Sequence, residues 1–181
     1  MPVPKVFTFV GSNQLNKNPE DAFFIFLGIL GAGIVIAGFT QTPAQAYYVA
    51  GACLLLLNAL YFKLTYFIAL ELILLAGHGA ILLGIGQTLQ IILPIMLSLQ
   101  LLIFYLLSGE LQNIFHLIGI AGIALLSIGF SYANVWIFFF GSLAIAIFAF
   151  HTVYQGKKVA LIWAIMNLIF TLATAYILIF K

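Results

Sequence analysis

Residues 66–86 read YFIALELILLAGHGAILLGIG. A run of this length crosses a hydrocarbon layer, because about 20 residues at about 1.5 Å of rise each cover roughly 30 Å. Yet it holds two ionisable side chains, Glu71 and His78. Such groups in a membrane interior cost several kcal/mol, so they have a partner or a job. At this spacing they share one helical face, about 10 Å apart along the axis, with Glu71 about two turns into the helix and His78 near its middle. They are too far apart to bond each other, so each needs a partner from another helix. Ala76, Ala80 and Gly84 add a small-residue series of the kind that lets membrane helices approach closely.

The rest of the chain is as apolar as this stretch. Of 181 residues, 65% are hydrophobic and 6% charged, and the mean hydropathy is +1.26. A soluble domain carries about 25% charged residues and needs them to cover its surface. The composition therefore predicts an integral membrane protein whose first partner is the lipid bilayer. Arginine is absent, and a net charge of +2 without a basic patch excludes a nucleic-acid partner. Cys53 is the single cysteine and cannot form an internal disulfide; no Cys/His spacing predicts a metal site, and no motif implies a cofactor. Residues 1–20 are polar and read as a cytoplasmic N-terminal tail. The NPED at 18–21 opens a helix, with Asn18 as N-cap, Pro19 in the first turn and two acids against the dipole.

Seven apolar runs follow, at 21–40, 44–62, 64–86, 88–108, 113–131, 133–154 and 158–180. The breaks IGQT and SYAN are the weakest, and merging across one of them gives a six-span alternative. With seven spans and the N-terminus inside, Lys5, Lys17, Lys63, Lys157 and Lys158 fall on the inner side and Lys181 alone outside. This predicts a multi-pass protein with a cytoplasmic N-terminus and an external C-terminus, in a bacterial plasma membrane. Tyr47, Tyr48, Tyr61, Tyr66, Tyr105, Tyr132, Trp136 and Tyr154 lie near proposed boundaries, where amphipathic rings settle.

GILGAGIVIAGF (28–39) aligns with GIAGIALLSIGF (119–130), matching Gly28 to Gly119, Gly31 to Gly122, Gly38 to Gly129 and Phe39 to Phe130. Further on, Lys63 falls beside Lys157 and Lys158, and Ala69 matches Ala164. Small residues also recur simply because helices pack closely, so the matches have a second reading. Taken as a repeat, they predict an all-α membrane protein of seven transmembrane helices, with two parallel three-helix repeats joined by a linker helix (3+1+3). The tail is then 1–20, the first bundle 21–86, the linker 87–112 and the second bundle 113–181.

This organisation, together with ALYFKLTYFIALELILLAGHG (59–79), resembles the SWEET sugar facilitators and the PnuC-type vitamin transporters. The Pro-Gln pair and the Trp-x-x-Trp of those families are absent, so no binding residue carries over. The resemblance implies a pathway between two triple-helix bundles with a site near mid-membrane.

Candidate site residues follow from depth. Glu71, Asn58, Gln100, Asn167 and Trp163 are candidates for binding a small polar solute; His78 and His151 are candidates for proton relay or gating. Asn167 falls within one residue of the repeat equivalent of Glu71. Amides suit hydroxylated or heteroaromatic solutes, and Trp163 is able to stack on them. Each amide taken alone is better explained by an interhelical hydrogen bond of about 0.6 kcal/mol, and it is their convergence that points to a site. His116 reads as an interfacial histidine, Pro94 as a kink in the fourth span, and Phe138, Phe139, Phe140, Phe148 and Phe150 as packing or lipid-facing residues. Without a nucleophile–base pair, a carboxylate pair or a metal motif, an enzyme is not expected. The expected function is transport or facilitation of a small polar solute, with Glu71 as the group that would link it to protons. The alternative is a non-catalytic accessory subunit of a membrane complex, and the composition leaves room for a homo-oligomer.

Overall fold

Residues 18–180 are described by the structure, a computed structural model. The expected tail, Lys5, Lys17 and Lys181 lie outside them. Seven helices carry the described chain: α1 (Pro19–Gly38), α2 (Ala44–Tyr61), α3 (Thr65–Leu82), α4 (Gln87–Leu107), α5 (Ile114–Tyr132), α6 (Val135–Tyr154) and α7 (Leu161–Phe180). Single 3-10 turns, Glu110–Gln112 and Lys158–Ala160, precede α5 and α7. All seven helices are long and apolar enough to cross a membrane.

Local chemistry sets the ends. Pro19 starts α1 where a missing N–H costs nothing, although the Asn18 side chain makes no capping bond. Asn113 and Asn134 do cap α5 and α6, accepting from the backbone N–H of Phe115 at 3.0 Å and of Ile137 at 3.2 Å. Both weak breaks are real turns. Gly84 takes φ 65° and ends α3 at Leu82, earlier than the apolar run suggests.

Consecutive helices run antiparallel. One end of the molecule gathers the start of α1 and the end of α2, where the Tyr61 hydroxyl donates to Asp21 at 2.8 Å. The same end holds the starts of α3 and α5, where the Tyr66 hydroxyl donates to the Gly119 carbonyl at 2.8 Å. We refer to it as the Lys63 end. The opposite end gathers Phe39, Tyr48, Phe130 and Phe138, with Phe39 and Phe138 rings 6.3 Å apart and Tyr48 and Phe130 rings 4.9 Å apart.

Around the molecule α1 packs on α2 and α2 on α3, while α5 packs on α6 and α6 on α7. Two seams close the ring, α3 against α5 and α7 against α1, and α4 lies over the first of them, touching α3 and α5. Glycines set the closest approaches. A Cβ on Gly31 would stand 2.8 Å from the Gly51 carbonyl oxygen, and one on Gly141 would stand 2.5 Å from the Leu126 backbone nitrogen. Any side chain at these points pushes two backbones apart. In α3 Gly77 faces the Pro94 ring of α4, while Gly84, the last member of the Ala76–Ala80–Gly84 series, has nothing within 4 Å and Ala80 is buried. Outward faces are apolar, as on α4 where Ile92, Met96, Leu99 and Ile103 are exposed.

Three of the expected boundary aromatics belong to the interior. Tyr48, Tyr66 and Tyr105 are buried, whereas Tyr47, Tyr132, Trp136 and Tyr154 are exposed. Sequence depth alone does not tell which face of a helix a ring occupies.

Candidate functional site

Glu71 is 1% exposed and has found its partner across the molecule. The Trp163 indole Nε1 of α7 donates to its Oε1 at 2.6 Å. Trp163 is itself fully buried and stacks on Phe67 of α3, with centroids 4.5 Å apart. One turn along α7, the Asn167 amide donates to the Trp163 carbonyl at 3.0 Å, and its Oδ1 is buried without a partner.

Beside this group lies a cavity of about 20 Å³ whose walls include Glu71, His78 and Asn167, with Leu70 and Met166 between them. That is room for about one water molecule. His78, also without a partner at Nδ1, sits edge-on to Phe130 at 4.4 Å and beside Tyr48 at 4.9 Å. Because α3 stops at Leu82, His78 is about one turn from the far end of that helix and not at its middle.

Tyr48, Phe130 and Phe170 form part of the cavity wall, and further aromatic rings lie beyond it. Towards the Lys63 end stand Phe67, Trp163 and Phe148, the last with its ring 5.9 Å from Phe67. Towards the opposite end stand Phe39, Tyr48, Phe130, Phe138 and Phe170, with Phe138 and Phe170 rings 5.6 Å apart. Below the first of these groups a second cavity of about 200 Å³ reaches the turns of the Lys63 end. Lys63, Lys157, Glu110 and His116 line it, together with Tyr66, Phe67, Tyr105 and Phe148.

Of the residues singled out from the sequence, Glu71, His78 and Asn167 share one cavity, and Trp163 holds its carboxyl. The other three lie elsewhere. Asn58 is fully buried but donates to the Phe24 carbonyl at 2.6 Å, tying α2 to α1. Gln100 is on the exposed side of α4. His151 stacks face to face on Phe115, with centroids 3.8 Å apart, at the Lys63 end of α5 and α6. Trp163 has one face covered by Phe67, so its indole acts first as a hydrogen-bond donor. His116, read as interfacial, lines the larger cavity against Tyr105, with rings 4.8 Å apart. Sequence reading missed that cavity altogether. Its one signal in the sequence is a pair of lysine-bearing turns, FKLT and YQGKK, which bear on orientation and on the repeat but do not by themselves show that they meet.

Comparison with protein-family models, with curated proteins and with solved structures finds no match to this chain.

Proposed function

We propose that the protein is a transporter or facilitator of a small polar solute, built as two parallel three-helix repeats, α1–α3 and α5–α7, with α4 as linker. The solute site lies between them at Glu71, Asn167 and His78. The observation that carries this reading is the enclosed cavity. The acid most deeply placed in the spans faces it together with two unpartnered polar groups, the His78 Nδ1 and the Asn167 Oδ1. A purely structural acid would be expected to have every polar neighbour satisfied.

Support for the repeat comes from matched contacts. A shift of 96 positions carries Phe67 onto Trp163, Leu70 onto Met166 and Glu71 onto Asn167, and each of these six side chains is buried. Phe67 and Trp163 touch each other, as equivalent residues do on a two-fold axis. Phe39 meets Phe138, and the corresponding pair, Phe130 and Tyr48, also meets. Gly28 faces Asn58 and Ile162, and Gly119 faces Phe148 and Tyr66 in the same relation. The shift exceeds by one residue that implied by Ala69 and Ala164.

Rocking of one bundle against the other would open the cavity alternately to each side. The side bearing Lys63 and Lys157 is the cytoplasmic one under the lysine count, which places residue 180 outside. In the closed form the site has room for about one water, so solute entry requires the Phe67–Trp163 layer to part and Glu71 to exchange its indole partner. The test is uptake into proteoliposomes as a function of pH. Glu71→Gln keeps an acceptor for Trp163 but holds no exchangeable proton, so its uptake becomes independent of pH while solute exchange persists. Identical pH profiles for Glu71→Gln and the wild type would remove the proton link, and a wild type inactive towards every solute screened would favour the accessory-subunit reading.

A further inference from the structure

The cavity at the Lys63 end is not explained by a proton-linked acid deeper in the molecule. We propose that it is a binding site for a compact organic anion, an oxyanion carried on a planar apolar body such as an aromatic carboxylate.

Charge is the first reason. Lys63 and Lys157 line a volume of about 200 Å³, and Glu110 is the acid that faces it. Both lysines are exposed at the edge of the molecule, and with one acid against two cations the lining carries a net positive charge that favours an anion.

Hydrogen bonding is the second. The turn before α3 supplies no side-chain cap, and the first-turn amides of Thr65, Tyr66 and Phe67 have no acceptor among the described residues. These residues line the cavity. An uncapped helix start of this length presents N–H donors and a partial positive charge to an oxyanion. His116 lines the same space, and its Nδ1 is buried without a partner.

Shape is the third. The remaining wall is aromatic, with Tyr66, Phe148, Tyr105 and His116 forming a continuous series of rings: Tyr66 to Phe148 at 3.8 Å, Phe148 to His116 at 5.6 Å and His116 to Tyr105 at 4.8 Å. Such a surface takes the face or edge of a planar ring, whereas inorganic phosphate would leave it uncovered.

Lys63 itself has φ 54°, in the left-handed region at the close of α2. The matching place after α6 is Gly156, with φ 96°. Lys63 thus holds a backbone conformation that favours glycine, a strain that points to a use for its side chain. Joined to the proposed function, and resting on it for this clause alone, the site makes the solute an organic anion. Such a solute passes the Glu71 carboxyl only when that group carries a proton.

The experiment uses the purified full chain in detergent, with benzoate, benzyl alcohol, benzylammonium and inorganic phosphate as probes, read by thermal shift and by calorimetry. Benzoate is expected to raise the melting temperature and to bind at least tenfold more tightly than the other three. Lys63→Gly suits the backbone it replaces, so that variant folds, and it and Lys157→Gln should each weaken benzoate at least tenfold; Glu110→Gln should tighten it. Equal binding of benzyl alcohol, equal binding of phosphate, or unchanged benzoate binding in Lys63→Gly would each overturn the proposal. Benzoate binding by a protein that moves none across proteoliposomes would uphold this site and defeat the transport reading instead.

Discussion

At the scale of single residues, the cost of burying Glu71 is offset by one strong partner. The 2.6 Å bond from Trp163 spans the interface between the two groups of helices, so it ties stability to closure. Trp163→Phe preserves the stack on Phe67 but removes the donor, leaving a buried acceptor that costs about 1–3 kcal/mol. The expected outcome is a lower melting temperature in detergent, and Trp163→Phe combined with Glu71→Gln should lose less than the sum of the two single changes. Asn58 behaves differently. Its bond to the Phe24 carbonyl is an interhelical contact of about 0.6 kcal/mol, and its place outside the cavity predicts unchanged uptake for Asn58→Ala with a modest loss of stability. Comparing uptake and thermal denaturation for that variant separates the two effects. Asn58 and Asn167 are both buried amides that donate to a backbone carbonyl and leave Oδ1 unpartnered, and the cavity beside Asn167 is what tells them apart.

At the scale of helices, glycine contacts decide which pairs are rigid. Gly51 is so close to α1 that a Cβ there would overlap the Val35 side chain and stand 2.7 Å from the Gly31 carbonyl oxygen. Gly33, on the same α1, has nothing within 4 Å. Gly51→Val should therefore destabilise the protein by several kcal/mol, in the manner of overpacked interiors, while Gly33→Val should leave the melting curve unchanged. The sequence showed glycines at both positions and could not rank them, because a helical repeat gives spacing but not the neighbour. The same gap explains the small-residue series in α3. Gly77, outside that series, meets Pro94 of α4, and Gly84 within it meets nothing. Helix limits were better expressed in sequence. Pro19, Asn113 and Asn134 act through their own backbone neighbours, and Gly84 ended α3 earlier than hydropathy implied.

At the scale of the whole molecule, the proposed motion is a rocking of α1–α3 against α5–α7, so a tether across the far aromatic layer should stop it. Phe39, just past the end of α1, and Phe170 of α7 have rings 5.8 Å apart. With Cys53 replaced by alanine, a Phe39→Cys, Phe170→Cys pair bridged by a bifunctional thiosulfonate reagent long enough to replace the two rings should lose uptake, and reduction should restore it. A pair placed within one bundle, such as Phe130→Cys with Phe138→Cys, where the rings are 4.6 Å apart, should take the same reagent without that effect. Equal inhibition by both pairs would count against two moving halves.

Much of this protein is written locally. Membrane residence, the number of spans, their alternation and most of their ends follow from hydropathy, length and capping chemistry, which depend on residues near each other in the chain. The depth of Glu71 followed in the same way. Only the tertiary structure decided which polar groups meet: Glu71 with Trp163 across 92 positions, Asn167 and His78 on one cavity, and Gln100 on the exposed side of its helix. It also brought the two lysine turns around one space at the Lys63 end. The physical reason is rotational. In lipid every face of such a helix can be apolar, so hydropathy sets how far along the span a side chain lies but not the direction in which it points, and that direction is set by packing against the other helices, the close glycine contacts included.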